Sequence, residues 1–202
     1  MSKYAKQFLS TNDEILKNLI IQVEFAPIES TNDVFYDLMS CILEQQIHYR
    51  SSKKIFTKML KRASISNLNL ENFDEFEQKA LSKAKLSVQK QETVLEIVAF
   101  FNENKIDWQL LDDKDVFDKL TSIKGIGKWS VDMILLYTLE RANVFPFDDF
   151  HLKQVMTNLY GLNPKSRLKA QMIEVSSNWG EHKSLAVRYL LAWKDIIKAQ
   201  NK

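Results

Sequence analysis

Five residues combine a chemically useful type with a suggestive spacing: Lys124, Gly125, Gly127, Lys128 and Asp149. The first four lie in Leu120-Thr-Ser-Ile-Lys-Gly-Ile-Gly-Lys-Trp-Ser-Val-Asp132, between two helix-patterned segments. The chain has 4 glycines in 202 residues, where average usage of ~7% would supply about 14. Two of the four so close together imply a backbone requirement: a tight turn with positive φ, or the close approach of another chain. Amides of such a turn, beside the N-terminus of the next helix, form an anion site suited to a nucleic-acid phosphate. That contact would read no base. Lys124 and Lys128 add positive charge, and Ile123 and Ile126 would anchor the turn in the core. A structural turn between packed helices accounts for Gly-Ile-Gly equally well.

Asp149 follows Gly127 by 22 residues, in Val144-Phe-Pro-Phe-Asp-Asp-Phe-His151, at the expected start of a further helix. Amides at a helix start stabilise negative charge on a carboxylate. Aspartate is also an ordinary N-cap there, and that reading stays open beside the chemical one.

The elements that must position these residues are helices. Thr11-Asn-Asp-Glu14 reads as a capping box ahead of the apolar face Ile15, Leu16, Leu19 and Ile20. Asn32 or Asp33 can cap a second helix with the stripe Val34, Phe35, Leu38, Met39, Ile42 and Leu43. Amphipathic segments follow over 52–62, 73–82, 87–103, 114–121, 128–141, 150–160, 165–178 and 183–198, with Asn163-Pro164 as cap and first helical residue of the 165–178 segment. No period-2 strand pair, internal repeat or low-complexity linker is found, so the fold is predicted to be all-α.

Composition limits the alternatives. At 45% hydrophobic and 27% charged residues, with a net charge of +2, the chain resembles soluble globular proteins rather than disordered ones. No apolar run approaches the ~20 residues that span a bilayer, and Met1-Ser-Lys-Tyr-Ala-Lys-Gln lacks the apolar stretch of a signal peptide. An intracellular protein with no membrane partner is expected. Cys41 is the single cysteine, which excludes an intrachain disulfide, a four-thiolate zinc site and an iron–sulfur cluster held by this chain alone. Charge is segregated: six basic residues and no acidic one lie between Arg50 and Arg62, whereas Glu71, Asp74, Glu75 and Glu77 form an acidic stretch. This permits a basic face for phosphate, and equally a solvated helix face.

Hairpin, following helix and the aspartate in a Phe-Pro-x-Asp-Asp loop together resemble the helix-hairpin-helix DNA glycosylase superfamily. Within it they resemble the 3-methyladenine DNA glycosylase II branch, which excises alkylated bases. Ile42-Leu-Glu-Gln-Gln-Ile-His-Tyr-Arg-Ser-Ser-Lys-Lys-Ile55, Leu86-Ser-Val-Gln-Lys90 and Trp179-Gly-Glu-His-Lys-Ser-Leu-Ala186 resemble three further elements of that branch. The likeness covers roughly residues 8–195. It implies two helical lobes, 1–30 with 145–202 and 31–144 containing the hairpin 120–132, with an active-site cleft between them. It implies a monomer in the cytoplasm or nucleoid that acts on duplex DNA containing a damaged base, without a catalytic cofactor. The family's catalytic aspartate falls on Asp149, leaving Asp148 to cap the helix. Trp129 stands where lyase-competent members carry the lysine that forms a Schiff base, and Lys128 is one residue off, a rotation of about 100°. The resemblance therefore implies a monofunctional enzyme with water as final nucleophile. An indole at 129 can stack on a positively charged alkylpurine with about 0.5–2 kcal/mol of cation–π attraction; ordinary core packing is its other reading. Phe150 and Tyr137 are candidates for the same base pocket. Gln45 and Gln46 fall where the family places its intercalating plug, and Gly125, Ile126 and Gly127 in its phosphate-binding hairpin. In some members hairpin carbonyls hold a structural monovalent cation; here these are Thr121, Ile123 and Ile126.

The pattern departs from the family at His48, Lys85, Glu181, His182, Lys183 and Met133. Position 182 lies in the family's base pocket, where a protonated histidine would oppose a cationic base; Met133 stands where a relative carries an aromatic. In a chain of this length the extra N-terminal β-domain of some relatives is not expected. Two other readings stand beside alkylbase excision: a non-catalytic helix-hairpin-helix DNA-binding protein, and a glycosylase for another base such as uracil.

Overall fold

The computed structural model describes residues 3–23, 30–44 and 54–200, with side chains described up to Lys194. In chain order the helices are α1 (Lys3–Asn12), α2 (Glu14–Gln22), α3 (Val34–Leu43), α4 (Lys54–Ala63), α5 (Phe73–Lys79), α6 (Val88–Glu103) and α7 (Asp113–Thr121). After them come α8 (Lys128–Met133), α9 (Phe150–Tyr160), α10 (Leu168–Ser177) and α11 (Lys183–Gln200). A 3₁₀ turn, Leu81–Lys83, follows α5, and α8 runs on as a π-helical stretch, Ile134–Thr138, closed by the bond from Leu139 N–H to the Ile134 carbonyl. No strand occurs among the described residues, as the periodicity predicts.

Two units make up the chain: Met1–Glu29 with Glu140–Lys202, and Ser30–Leu139. In the first, α1 packs on α2, and α11 packs on α1, α2 and α9. Leu9, Leu16, Leu19, Leu152, Met156, Trp179 and Leu190 are buried there, and each such aliphatic side chain stabilises the unit by about 1.5–3 kcal/mol on the usual transfer scale. In the second, α3 is the central element: nine of its residues are buried, and it packs on α4, α6, α8 and the π-helical stretch. Asp37, on its first turn, is buried at 2% exposure. It is satisfied by the hydroxyls of Thr31 (2.6 Å) and Thr138 (2.8 Å), which ties the two ends of this unit together.

Two local readings change, and one left open between two residues is resolved. The cap of α2 is Asp13, whose carboxylate accepts the Leu16 N–H at 2.9 Å; Thr11 belongs to α1 and bonds back to the Gln7 carbonyl. Asp33, not Asn32, caps α3 through the Tyr36 N–H, and Asn32 takes a positive φ of 54°. Asn163-Pro164 do not start α10. Asn163 accepts the Lys165 N–H in an Asx turn and exchanges two bonds with Gln171, so the helix begins only at Leu168, after Arg167 in a left-handed conformation. On α4, Lys54, Lys58, Lys61 and Arg62 are all exposed and form a basic stripe; Arg50 and Lys53 lie outside the described residues.

Candidate functional site

Asp149 belongs to the first unit. Phe147 N–H bonds the Phe145 carbonyl and Asp149 N–H the Pro146 carbonyl, both at 2.9 Å, so the chain tightens just before α9. Asp149 then caps α9, accepting the Leu152 N–H at 2.7 Å, and it is 7% exposed. The capping role assigned to Asp148 therefore falls on Asp149 itself. Asp148 is exposed and faces Lys153 at 3.5 Å. Capping and chemistry are compatible here, because the amide that fixes Oδ1 also fixes the carboxylate plane.

The loop ahead of Asp149 is stitched to the start of α11 by the Trp179–Ala186 segment. Ser184 Oγ accepts the Val144 N–H (2.9 Å) and donates to the Arg141 carbonyl (2.6 Å), while Ser184 N–H donates to the Ala142 carbonyl (3.0 Å). Lys183 Nζ reaches Asn143 Oδ1 at 2.9 Å. His182 precedes α11; its carbonyl accepts the Leu185 and Ala186 amides, and its ring packs edge-on against Phe8 (5.2 Å) and Tyr4 (5.8 Å). Phe150, 64% exposed, lines a groove of about 460 Å³ together with Trp193, Leu168, Lys153 and Lys194. Lys194 contacts His151 Nδ1 and Gln154 Oε1.

The hairpin belongs to the second unit. Ile123 and Ile126 are buried at 3% and 7% exposure and pin it to the core. The Ile126 N–H donates to the Ile123 carbonyl at 3.1 Å, closing the turn. Gly125 has φ +92°, and a Cβ there would lie 2.0 Å from Thr93 Oγ1, so both steric reasons for glycine hold. Gly127 differs: its φ is −107°, and an added Cβ would meet nothing within 4 Å. This glycine caps α8, and having no side chain it leaves the first-turn amides of that helix accessible to an outside acceptor. Lys124 lies exposed beside Glu92 at 3.1 Å. Lys128 pairs with the buried Asp132 at 2.6 Å, so much of its charge is spent inside the helix. Their i,i+4 spacing was available in the sequence.

Also in the second unit, Trp129 is half-buried, whereas Met133 (1%) and Tyr137 (3%) are buried. Gln45 and Gln46 lie outside the described residues. The residue before them, Glu44, is 4% exposed and accepts the Phe56 N–H at 2.8 Å, which joins the end of α3 to the first turn of α4. Ser87 caps α6, and burial pushes the Lys90 ammonium below its ordinary value, partly offset by Glu44. No cluster of His, Cys, Asp or Glu suited to a metal occurs among the described residues. Thr121, Ile123 and Ile126 offer neutral carbonyls, and that of Ile123 already accepts one hydrogen bond.

Residues 39–181 match the family model described as HhH-GPD superfamily base excision DNA repair protein. The chain is 27% identical over 201 residues to DNA-3-methyladenine glycosylase 1 of Schizosaccharomyces pombe, covering 94% of this chain and 86% of that one. It is similar in structure to the S. pombe 3-methyladenine DNA glycosylase Mag1 in complex with abasic DNA. The TM-score is 0.76 at 25% identity, covering 94% of this chain and 95% of that one. The fold is also that of the Clostridium acetobutylicum 8-oxoguanine glycosylase/lyase, with a TM-score of 0.74 at 20% identity over 96% and 70% of the two chains.

Proposed function

The chain belongs to the HhH-GPD superfamily of base excision DNA repair proteins, and from that premise we propose that it is a monofunctional DNA glycosylase. Its substrates are alkylated bases of the 3-methyladenine type in duplex DNA, whose N-glycosidic bond it hydrolyses. The observation that carries this reading is Asp149: a buried, amide-fixed carboxylate at the end of a Phe-Pro-x-Asp-Asp loop. Plain duplex binding needs no such group.

An alkylated purine is already a good leaving group, so departure of the base needs modest help. Asp149 stabilises the positive charge that develops on the sugar and orients the attacking water. Trp129 stacks on the cationic base through its electron-rich face. Phe150, Met133, Tyr137 and His182 are the remaining candidates for base contacts. The hairpin amides around Gly125–Gly127, with Lys124 and Lys128, hold a backbone phosphate, and Gln45 and Gln46 fill the space left by the extruded base, whose unstacking costs a few kcal/mol. The carbonyls of Thr121, Ile123 and Ile126 are the donor set for a structural monovalent cation. With tryptophan at 129 the chain has no amine at the position of the Schiff-base lysine, so release occurs without strand cleavage. The protein acts as a monomer.

The test is base release from methylated duplex DNA by wild type and Asp149→Asn, with strand nicking read in parallel. Release without nicking, lost in the variant while duplex binding persists, is the expected result. Tight duplex binding without any release would favour the non-catalytic reading or a substrate such as uracil.

A further inference from the structure

Asp13 touches none of the residues just assigned to substrate, yet it is a 9% exposed carboxylate on which three donors converge. Its Oδ1 accepts the Leu16 N–H at 2.9 Å. Its Oδ2 accepts both the Tyr160 hydroxyl and the Trp179 indole N–H at 2.8 Å. Burial and the neighbouring Asp13 push the Tyr160 phenol well above its ordinary value, so it remains a donor.

Both Oδ2 partners lead to Asp149. Tyr160 is the last residue of α9, the 11-residue helix that Asp149 caps. Trp179 is fully buried and packs edge-on against Phe145 at 5.5 Å, in the loop that turns into Asp149. One carboxylate thus holds the far end of α9 and, through one ring, the approach to its near end. We propose that Asp13 is a positioning residue for base release: it fixes the placement of α9 and of the 145–149 loop, and so of the Asp149 carboxylate. The inference rests on the reading of Asp149 given above. Displacement of a reacting group by about 1 Å can lower a rate by ~100-fold.

Asp13→Asn tests this, because an amide must turn its NH₂ toward at least one of three donors. Three quantities are measured: single-turnover base release, affinity for abasic duplex, and amide exchange at Leu152, whose N–H bonds Asp149. The expected result is a roughly 10- to 100-fold slower release, abasic-DNA affinity within about threefold of wild type, and faster Leu152 exchange. With Trp179→Phe added, the amide NH₂ can donate to the Tyr160 hydroxyl while the amide oxygen keeps the Leu16 N–H, so release and exchange should return to the level of Trp179→Phe alone. Should Asp13→Asn fail to fold, Tyr160→Phe removes one donor only, and a smaller loss of release with unchanged abasic affinity is expected. Losses that merely follow the unfolded fraction, or that the second substitution does not relieve, overturn the proposal. If wild type releases no alkylated base, the activity reading fails, while Leu152 exchange still decides the positioning: faster in Asp13→Asn and restored by Trp179→Phe supports it, and unchanged overturns it.

Discussion

Replacing Gly125 with alanine places a Cβ 2.0 Å from Thr93 Oγ1 and 3.0 Å from Thr93 Cβ and Cγ2, on a backbone with φ +92°. Thr93 is 4% exposed and its hydroxyl is bonded to the Gln89 carbonyl, so it has little room to retreat. A positive φ costs an L-residue about 1–2 kcal/mol, and an overpacked contact about 1–3 kcal/mol more. The sum, about 2–5 kcal/mol, corresponds to a melting temperature lower by roughly 4–20 °C in a chain of this size. Gly127→Ala is the internal control: with an allowed φ and no neighbour within 4 Å, its stability should stay within about 0.5–1 kcal/mol of wild type. Its new methyl nevertheless stands at the start of α8, and duplex affinity should fall. Thermal melts of the two variants and of Gly125→Ala with Thr93→Ala, alongside Thr93→Ala alone, close the cycle. Removing Oγ1 and Cγ2 should recover at least about 1 kcal/mol, but not the φ strain. Equal destabilisation by the two glycine variants, or no recovery in the double variant, would refute the assignment of Gly125 to packing and Gly127 to ligand access.

Other consequences can be measured directly. Asp149→Asn keeps an acceptor for the Leu152 N–H, so its stability should lie within about 0.5 kcal/mol of wild type, whereas Asp149→Ala should lose about 0.5–2 kcal/mol by urea titration. Lys128→Met removes the ammonium that pairs with the buried Asp132; because the lysine is 37% exposed, a discounted loss of about 1–3 kcal/mol is expected. The same substitution should change the salt dependence of duplex binding by less than one full counterion, since that charge is already paired. Tyr160 has a folded-state pKa above its ordinary value of 10.0, raised first by burial. Its contribution is therefore complete below about pH 10 and is lost as pH rises beyond. Tyr160→Phe should flatten the alkaline limb of a stability–pH profile, and an unchanged limb would contradict this. Borohydride should trap no covalent complex between wild type and abasic DNA.

The helices were readable wherever an apolar stripe repeats every three to four residues, as in α3, α9 and the 128–138 helix. Misreadings came from competition between local signals. Thr11 and Asp13 can each cap α2 by residue type, but Thr11 is itself in the last turn of α1 with its hydroxyl bonded to the Gln7 carbonyl, which leaves the cap to Asp13. Asn163-Pro164 carries a start signal, but Gln171 draws the Asn163 backbone into a turn. Asp149 was legible because its loop, cap and helix are contiguous in the chain. The two glycines could not be told apart from their letters, since the side chain that crowds Gly125 comes from Thr93 on another helix. Asp13 was opaque for the same reason: its partners lie 147 and 166 residues away.

That separation bears on how the protein is made. The unit spanning 30–139 is one continuous segment, whereas the other unit joins segments that lie on either side of it. At ~5–20 residues per second, Tyr160 and Trp179 are synthesised about 7–33 s after Asp13. Throughout that interval the apolar faces of α1 and α2, with Leu9, Leu16 and Leu19, have no α11 to cover them. The faces of α1 and α2 are therefore made long before the helix that buries them, and a nascent chain stalled before residue 179 leaves that apolar surface uncovered.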